Sequence, residues 1–369
     1  MKLLVQPGDG IGRIVKAIEK AKKSVQVVIF RFDRVEIEKA LEDAVKRGVS
    51  VDALIAFTNR GGEKNLRKLE MRFLERGVTV SRTADDLVRY HGKMMIVDGK
   101  ELHLLAFNYT QVDTERSRSF ALITRDKELV KEAEELFDSD FKRRPHKPKS
   151  SRFLVSPLNA REELAKFIAA AKKELLIYDV KISDREMIKL LEQRARDGVE
   201  VRVIGKMARR SSQISVRQLA QLRLHTRTIV RDRKDAFLGS QSLRELELDS
   251  RREIGAIFRH AETIARIIET FEDDWKNGVV AAGDDADDVV KPPAAKVAKK
   301  VAKAVTKILP PVAPVVEEVV KDVMKPGNGV PIDHEEIEET VKMAVKQAVK
   351  QVVRETVEDV VEQQREPEP

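Results

Sequence analysis

Two stretches of the chain place a histidine two residues before a basic residue and, further on, an aspartate. They are YHGKMMIVDG, which contains His91 and Lys93, and LHTRTIVRDR, which contains His225 and Arg227. On a strand, residues two apart point to the same face, so each histidine is predicted to stand beside a cation. This pairing suits a phosphate ester, because the cation neutralises non-bridging oxygens while the imidazole attacks phosphorus or donates a proton.

Polar residues downstream of each histidine can complete a phosphate site. Asn108 can donate an amide hydrogen bond in the first stretch, and GSQS supplies the hydroxyls of Ser240 and Ser242 in the second. Arginine binds phosphate oxygens through a planar fork, where lysine acts as a point charge. We therefore predict phosphate binding by Lys93, Arg227, Asn108, Ser240 and Ser242.

Three acidic residues have other predicted roles. Glu253 could hold a histidine in one tautomer through its ring N–H. It could equally be a surface partner of Arg251 or Arg252. Asp98 and Asp232 are predicted to be structural, closing turns or pairing with cations.

The two motifs belong to a repeat that organises the chain. Early matches lie 150 positions apart and later ones 134 apart: Pro7 with Pro157, Lys23 with Lys173, Gly48 with Gly198, His91 with His225, Asp98 with Asp232, and Phe137 with Phe271. The difference of 16 residues predicts an extra piece in the first copy, within NRGGEKNLRKLEMRFLERG. A repeat of this length indicates a duplicated domain rather than a solenoid.

Each copy alternates helical and strand patterns. In the first copy, GIGRIVKAIEKAKK and EIEKALEDAVKRG have apolar residues at helical spacing, whereas VQVVIFRF and VSVDALIAF indicate strands rich in β-branched residues. The second copy repeats this order with REELAKFIAAAKK, ELLIYDV, REMIKLLEQRARDG and VEVRVIG. The alternation predicts the α/β fold class.

The HxK element, an aspartate after four intervening residues and a GSxN-like element, present twice, together resemble the phospholipase D superfamily. The resemblance covers about Met1 to Trp275. It implies two α/β/α halves packed face to face, with the site at their junction. It also implies that His91 and His225 are catalytic, one attacking phosphorus to form a phosphohistidine and the other protonating the leaving group. Water or an alcohol then resolves the intermediate, without a metal.

The two copies differ from the family pattern at different positions. The first reads LAFN, so Leu105 and Ala106 replace the glycine and serine, whereas the second reads GSQS, in which Ser242 replaces the asparagine. The glutamate that supports a histidine in the family falls on Glu253 in the second copy and on Ser119 in the first.

On this alignment, His225 has the retained glutamate and His91 the retained lysine. Which histidine attacks phosphorus stays open.

Composition limits the remaining possibilities. The chain has 369 residues, a net charge of +8 and no cysteine, which excludes disulfides and thiolate chemistry and favours anionic partners. No apolar run reaches the roughly 18 residues of a membrane span, so we predict no transmembrane segment. The N-terminus does not resemble a signal peptide, and we predict a location in the cytoplasm or at the periphery of a membrane. We expect no metal site and no cofactor.

The sequence predicts four regions: phospholipase D-like halves at 1–145 and 151–278, a disordered Pro/Ala/Lys/Val-rich linker at 279–333, and an amphipathic helix at 334–364. The lysines of KPPAAKVAKKVAKAV could contact nucleic acid or an anionic membrane, or the segment could be a spacer. The valine- and alanine-rich stripe of the helix favours self-association over membrane docking.

Three functions fit these observations. The first is a phospholipase D-type phosphodiesterase or phosphatidyltransferase acting on phospholipids. The second is a superfamily endonuclease that cleaves DNA or RNA, which the basic charge favours. The third is a non-catalytic scaffold that binds phosphorylated ligands through an altered site.

Overall fold

The computed structural model of the chain describes residues 1–57, 63–84, 86–209 and 211–280, together with Val341 and Ala344. Met1–Ala281 forms one compact unit, and both predicted halves lie within it. Of the second unit, Ala282–Pro369, only Val341 and Ala344 are described, and both are helical. The predicted linker from residue 281 onward, its lysines and the rest of the predicted C-terminal helix therefore lie outside the described residues.

The first half contains eight strands and five helices among its described residues. The strands are β1 (Lys2–Gln6), β2 (Ser24–Ile29), β3 (Ser50–Ile55), β4 (Thr79–Arg82), β5 (Arg89–Tyr90), β6 (Met94–Val97), β7 (Glu101–Leu105) and β8 (Ser117–Thr124). The helices are α1 (Gly12–Lys20), α2 (Val35–Lys46), α3 (Glu63–Glu75), α4 (Gln111–Glu115) and α5 (Lys127–Phe141).

The second half repeats most of this order. Its strands are β9 (Phe153–Val155), β10 (Glu174–Ile182), β11 (Glu200–Met207), β12 (Ile214–Gln218), β13 (Arg223–Leu224), β14 (Arg227–Arg231), β15 (Asp235–Gly239), β16 (Arg251–Arg252), β17 (Ile254–Phe258) and β18 (Val279–Val280). Its helices are α6 (Ala160–Ala169), α7 (Arg185–Arg196), α8 (Glu245–Asp249) and α9 (Ala261–Asn277).

The order of strands in the two main sheets confirms the duplication. Apart from the short strands β13, which pairs with β8, and β18, which pairs with β12, the first sheet runs β4-β3-β2-β6-β7-β8-β1 and the second runs β12-β11-β10-β14-β15-β17-β9. In both, the first three strands are parallel and the rest antiparallel. The predicted extra piece contains α3, and the described residues between β11 and β12 form no helix. The mixed α/β class is confirmed.

The sequence patterns produce these layers directly. In α2, Ile37, Leu41 and Ala44 are buried at the spacing of one helix face. In β2, the last three residues, Val27, Val28 and Ile29, are apolar and buried in succession, as expected of a strand covered on both faces.

One hydrophobic cluster joins the two halves, and a second lies within the second half alone. Phe120 of β8 packs edge-on against Tyr178 of β10 at 5.5 Å between ring centroids, and Tyr178 packs in the same way against Phe271 of α9. A cluster of buried residues runs continuously through both halves. The junction between the halves is therefore a packed interior that can hold polar groups in fixed positions.

The ordered sheet extends beyond the predicted end of the second half at residue 278. Val279 and Val280 form β18, which pairs antiparallel with Gln218 and Arg217 of β12. The first two residues of the predicted linker are therefore part of the sheet, because they supply backbone hydrogen bonds to its edge.

Candidate active site

His91 is held against the second half by its own backbone. Strand β5 pairs in parallel with β16, and the chain then continues so that the N–H groups of His91 and Gly92 both donate to the carbonyl of Arg252, at 2.7 and 2.9 Å. This pairing brings His91 beside the residue that follows β16, which is Glu253. His91 lies before β6 rather than on it, so the predicted strand-face geometry is wrong for this residue.

The retained glutamate serves the histidine of the opposite half. His91 Nδ1 lies 2.9 Å from Glu253 Oε2, and Glu253 is fully buried. The expectation that His225 has this glutamate is wrong, because the short strands β5 and β16 join each histidine loop to the other half. The alternative of Glu253 as a surface partner of Arg251 or Arg252 is also wrong, since the carboxylate has no contact with solvent.

His225 occupies the equivalent position in the other half, with a different neighbour. Strand β13 pairs in parallel with β8, and the N–H groups of His225 and Thr226 donate to the carbonyl of Arg118 at 3.0 and 3.1 Å. This register gives Ser119 the place against His225 that Glu253 has against His91. Ser119 Oγ and His225 Nδ1 are both buried, and neither makes a hydrogen bond within the described part of the chain.

The two cations are fixed beside their histidines through the backbone. Lys93 Nζ donates to the carbonyl oxygen of His91 at 2.5 Å, and Arg227 Nη1 donates to that of His225 at 2.8 Å. Both side chains are buried. Lys93 also lies before β6, whereas Arg227 is the first residue of β14. The predicted pairing of each histidine with a cation is therefore present, but it is made through a carbonyl group and not through a shared strand face.

The other predicted phosphate-binding groups are bonded to the protein itself. Asn108 Nδ2 donates to Asp113 Oδ2 at 2.7 Å, and Ser242 Oγ accepts from Arg227 Nε at 3.1 Å. Ser240 Oγ accepts from the N–H of Ile254 at 3.0 Å, next to Glu253. Direct contact of these three polar side chains with phosphate stays a prediction.

Two buried acids at equivalent positions were missed from the sequence. Asp113 accepts from the N–H of Asn108, and Glu247 accepts from the N–H of Ser242, each at 2.8 Å. They are 134 residues apart, which is the offset that relates the two histidines. Comparing acidic residues at that offset would have found both.

The second half adds a further buried carboxylate. Asp179 Oδ2 accepts from the N–H of Leu243 at 2.8 Å, and burial raises its pKa to about 6. The corresponding position of the first half is Ile29, so no repeat comparison could identify it.

The charges of the two motifs act on one another. Burial, followed by the charges of Lys93 and Arg227, holds the pKa of His91 well below its ordinary value. Burial, followed by Arg227 and Lys93, does the same to the pKa of His225, and His91 also contributes. Burial raises the pKa of Glu253, against the opposing effect of Lys93. Each histidine is therefore influenced by the charge of the cation of the other half, and burial together with these charges favours the neutral form of both imidazoles.

Two partly buried ion pairs join the halves next to the histidine loops. Arg252 Nη2 lies 3.2 Å from Asp140 Oδ1 of α5, and Arg118 Nε lies 2.6 Å from Asp274 Oδ2 of α9. In each pair the arginine comes from one half and the aspartate from the other. These arginines carry the carbonyl groups that position the two histidine loops, so the pairs fix the site as well as the interface.

The aspartates of the two motifs close turns at a distance from the histidines. Asp98 Oδ1 accepts from the N–H groups of Lys22, Lys23 and Ser24 at 2.7 to 3.0 Å. Asp232 makes the same three contacts with residues 172–174. Both aspartates have positive φ angles, near 54° and 52°.

Replacing Asp98 with alanine should therefore lower stability and leave the chemistry of the site intact. Removing the carboxylate that accepts from three backbone N–H groups should cost on the order of 1–3 kcal/mol, with a further cost for alanine at positive φ. Asp98→Asn is the matched control, since asparagine tolerates this backbone conformation and keeps an acceptor oxygen. Urea unfolding measures both variants, and equal stability of Asp98→Ala and wild type would contradict the assigned role.

Two further features concern the described residues as a whole. Within residues 1–57, 63–84, 86–209 and 211–280, no three histidine, aspartate or glutamate side chains are grouped so that they could hold a metal ion. In the part of the chain that the structure describes, no helix has the length and apolar character needed to cross a membrane.

Two copies of one α/β fold, each with a buried histidine and a buried cation at the junction, define a class of duplicated two-motif proteins. The sequence matches the family described as "Cardiolipin synthase, PLD-like domain" over residues 14–141 and 164–275. The chain belongs to this family, and the predicted membership of the phospholipase D superfamily is confirmed.

Individual relatives are more distant. A mitochondrial cardiolipin hydrolase from Danio rerio is 27% identical over 129 residues, which are 34% of this chain and 54% of the relative. Among solved structures, a polyphosphate kinase from Porphyromonas gingivalis superposes with a TM-score of 0.63 at 19% identity, covering 74% of this chain and 50% of that one. A phosphatidylserine synthase from Haemophilus influenzae Rd KW20 gives 0.59 at 10% identity, with 75% and 87% covered. The chain thus spans about half the length of the cardiolipin hydrolase and of the kinase, and the two structures support the fold alone.

Proposed function

We propose that this protein is a phospholipase D-type phosphodiesterase or phosphatidyltransferase that acts on phospholipid phosphodiesters through a phosphohistidine. The proposal is carried by one observation: His91, paired with Glu253 at 2.9 Å, shares a buried cluster with Lys93, Arg227 and His225. Two imidazoles and two cations supply a nucleophile, a proton donor and counter-charges for one phosphate group.

His91 is the nucleophile in this proposal. The carboxylate of Glu253 accepts the Nδ1 proton of His91, which leaves the lone pair of Nε2 available for phosphorus. A bond forms between His91 Nε2 and phosphorus while the bond from phosphorus to the leaving oxygen breaks. That oxygen takes a proton from His225.

The second step reverses the first. Water or an alcohol attacks phosphorus, its proton passes to His225, and the bond to His91 Nε2 breaks. The acceptor therefore decides between hydrolysis and transfer. Burial and the neighbouring cations favour the neutral form of His225 in the free site. The negative charge of the bound substrate favours the imidazolium, so His225 takes up the proton that it later donates when the substrate binds.

Phospholipid is the proposed substrate on two grounds. The matching family is described as a cardiolipin synthase domain, and the relative from Danio rerio is named as a cardiolipin hydrolase. The net charge of +8 favours an anionic lipid surface. Action at the cytoplasmic face of a membrane goes with this proposal.

Nucleic acid is the second candidate substrate, and cations near His91 favour it. Phe30 packs edge-on against His91 at 4.7 Å between ring centroids. The guanidinium carbons of Arg31 and Arg89 each lie 5.7 Å from the centroid of the Phe30 ring. These two cations, packed on the ring that contacts His91, could neutralise phosphates that neighbour the scissile one.

The test compares substrates with the full chain. Vesicles containing cardiolipin or phosphatidylglycerol, single-stranded DNA and RNA are each incubated with wild type and with His91→Ala, and products are followed with and without added alcohol. Turnover of lipid by wild type alone supports the proposal, and cleavage of nucleic acid alone replaces it with the second candidate. Turnover of none above the variant, with inorganic phosphate still bound, would overturn it in favour of a binding scaffold.

Lys93 makes phosphate binding depend on pH. Burial lowers the pKa of Lys93 to about 7, against the opposing effect of Glu253, so the free protein loses this positive charge as the pH rises through that value. A bound anion raises the pKa, and binding above about pH 7 must then take up a proton.

We therefore expect the Kd for sulfate, a phosphate analogue whose own charge does not change near neutral pH, to be nearly constant just below pH 7 and to rise by up to about tenfold per pH unit above it. Isothermal titration in buffers of different ionisation enthalpy measures both the Kd and the proton uptake. The Lys93→Arg variant is the matched control, because arginine keeps its charge over this range. An identical pH dependence in that variant would show that another group is responsible.

A further inference from the structure

The two histidines of the site differ in their support. His91 has a buried glutamate on Nδ1, whereas Ser119 stands in the equivalent place against His225. His225 Nδ1 and Ser119 Oγ are both buried without a hydrogen-bond partner among the described residues. A serine cannot supply a negative charge, so an imidazolium at His225 would have no counter-charge from this position.

A carboxylate from another element lies next to this orphaned nitrogen. Asp113 Oδ2 is 3.6 Å from His225 Nδ1, and Asp113 is 3% exposed. It comes from α4, which follows Asn108 in the chain. The same oxygen accepts from the N–H and Nδ2 of Asn108, and Asp113 Oδ1 accepts from Arg223. These bonds hold the carboxylate in place at the edge of hydrogen-bond range of His225.

The equivalent acid of the second half is used differently. Glu247 Oε1 accepts from Arg251 at 3.1 Å, and Glu247 Oε2 lies 3.8 Å from Arg227 Nη2. His91 already has Glu253 and needs no help from Glu247. The acid at this equivalent position therefore lies near Arg227 in the second half, whereas in the first half it faces His225.

We propose that Asp113 is the positioning residue of His225, in the role that a glutamate at position 119 would otherwise have. This inference rests on the proposed function, since it concerns the proton that His225 donates. In the neutral state the separation of 3.6 Å leaves Nδ1 unbonded. When His225 gains a proton, the Nδ1–H donates to Asp113, and the carboxylate stabilises the imidazolium that will protonate the leaving oxygen.

The experiment uses two substrates that differ only in the leaving group, one an alkyl alcohol and one p-nitrophenol. An alkoxide needs a proton to leave and p-nitrophenolate does not. In single-turnover measurements of leaving-group release, Asp113→Asn should slow the first step about 10- to 100-fold for the alkyl substrate and less than about threefold for the p-nitrophenyl one. Glu115→Gln, which removes an exposed carboxylate from the same helix, is the matched control. Equal losses on both substrates would overturn the proposal, because a purely structural role affects both.

A second measurement does not depend on turnover. In nitrogen-15 NMR titrations of the histidine side chains, Asp113→Asn should lower the pKa of His225 and Glu115→Gln should leave it unchanged. Adding Ser119→Glu to Asp113→Asn should restore both the pKa and the alkyl activity to within about threefold of wild type. An unchanged His225 pKa in Asp113→Asn would overturn the inference. If wild type turns over neither substrate, the proposed function fails and the titration still decides the role of Asp113.

Discussion

Replacing His91 with alanine should abolish the phosphohistidine and lower turnover by at least about 10³-fold. The reason is that phosphorus then has no nucleophile positioned by Glu253, while Lys93 and Arg227 can still bind the phosphate group. Binding of inorganic phosphate should therefore change much less than turnover. Steady-state kinetics and phosphate titration, made on the same preparation, separate the two effects.

The control for this variant is His146→Ala. His146 is a partly buried histidine outside the site, so its loss tests whether removing any histidine has the same effect. We expect its turnover to stay within about twofold of wild type. Loss of activity in His146→Ala, or retention of activity in His91→Ala with a normal melting temperature, would contradict the assignment of His91.

Replacing His225 with alanine should have an effect that depends on the leaving group. With an alkyl leaving group, the first step loses its proton donor and should slow by about 10²- to 10⁴-fold. With p-nitrophenol as the leaving group, the first step needs no proton, whereas the second step still needs His225 to activate water. The covalent intermediate should then accumulate after a burst of about one p-nitrophenol per chain.

Rapid-mixing absorbance measurements of released p-nitrophenol test this expectation. The double variant His91→Ala and His225→Ala is the control, because it lacks the nucleophile and should give no burst. A burst of similar size in the double variant would show that another residue attacks. Equal slowing of both substrates in His225→Ala, without a burst, would mean that His225 does not act as the proton donor.

The duplication made most of the fold predictable. Residues such as Gly48 and Gly198 end equivalent helices, and the apolar patterns that follow them give the central parallel strands of two sheets with the same strand order. The change in offset between the copies located the extra helix α3. These features depend on local spacing, which the sequence displays directly.

The partner of each histidine was not predictable in the same way. Glu253 follows His225 in the chain, and the sequence therefore paired them within one copy. The observed pairing with His91 depends on β5 and β16, two strands of two residues each that join different halves. Strands this short have no periodicity that the sequence could reveal.

The buried acidic residues of the site were not predicted from the sequence, for different reasons. Asp113 and Glu247 lie five residues after Asn108 and Ser242, and their shared offset was a usable signal. Asp179 has no acidic counterpart in the first copy, so only its buried contact with Leu243 identifies it. This contact depends on how β10 packs against the loop after β15, which is a matter of tertiary structure.

The asymmetry of the site is consistent with two different roles for its histidines. His91 has a short contact to a fully buried glutamate, and His225 faces Ser119 with Asp113 at 3.6 Å. A nucleophile benefits from a fixed tautomer, whereas a proton donor must change its protonation state during the reaction. Serine rather than glutamate at position 119 therefore fits different catalytic roles for His91 and His225.

The central claim is that one site, built from both halves, forms a covalent bond at His91. Its most direct test is to mix His225→Ala with the p-nitrophenyl substrate, stop the reaction under alkaline conditions, and locate the added phosphoryl group by mass spectrometry of peptides. We predict one group per chain, on the peptide that contains His91, and none in the His91→Ala variant. A group found elsewhere, or none despite release of p-nitrophenol, would contradict the account.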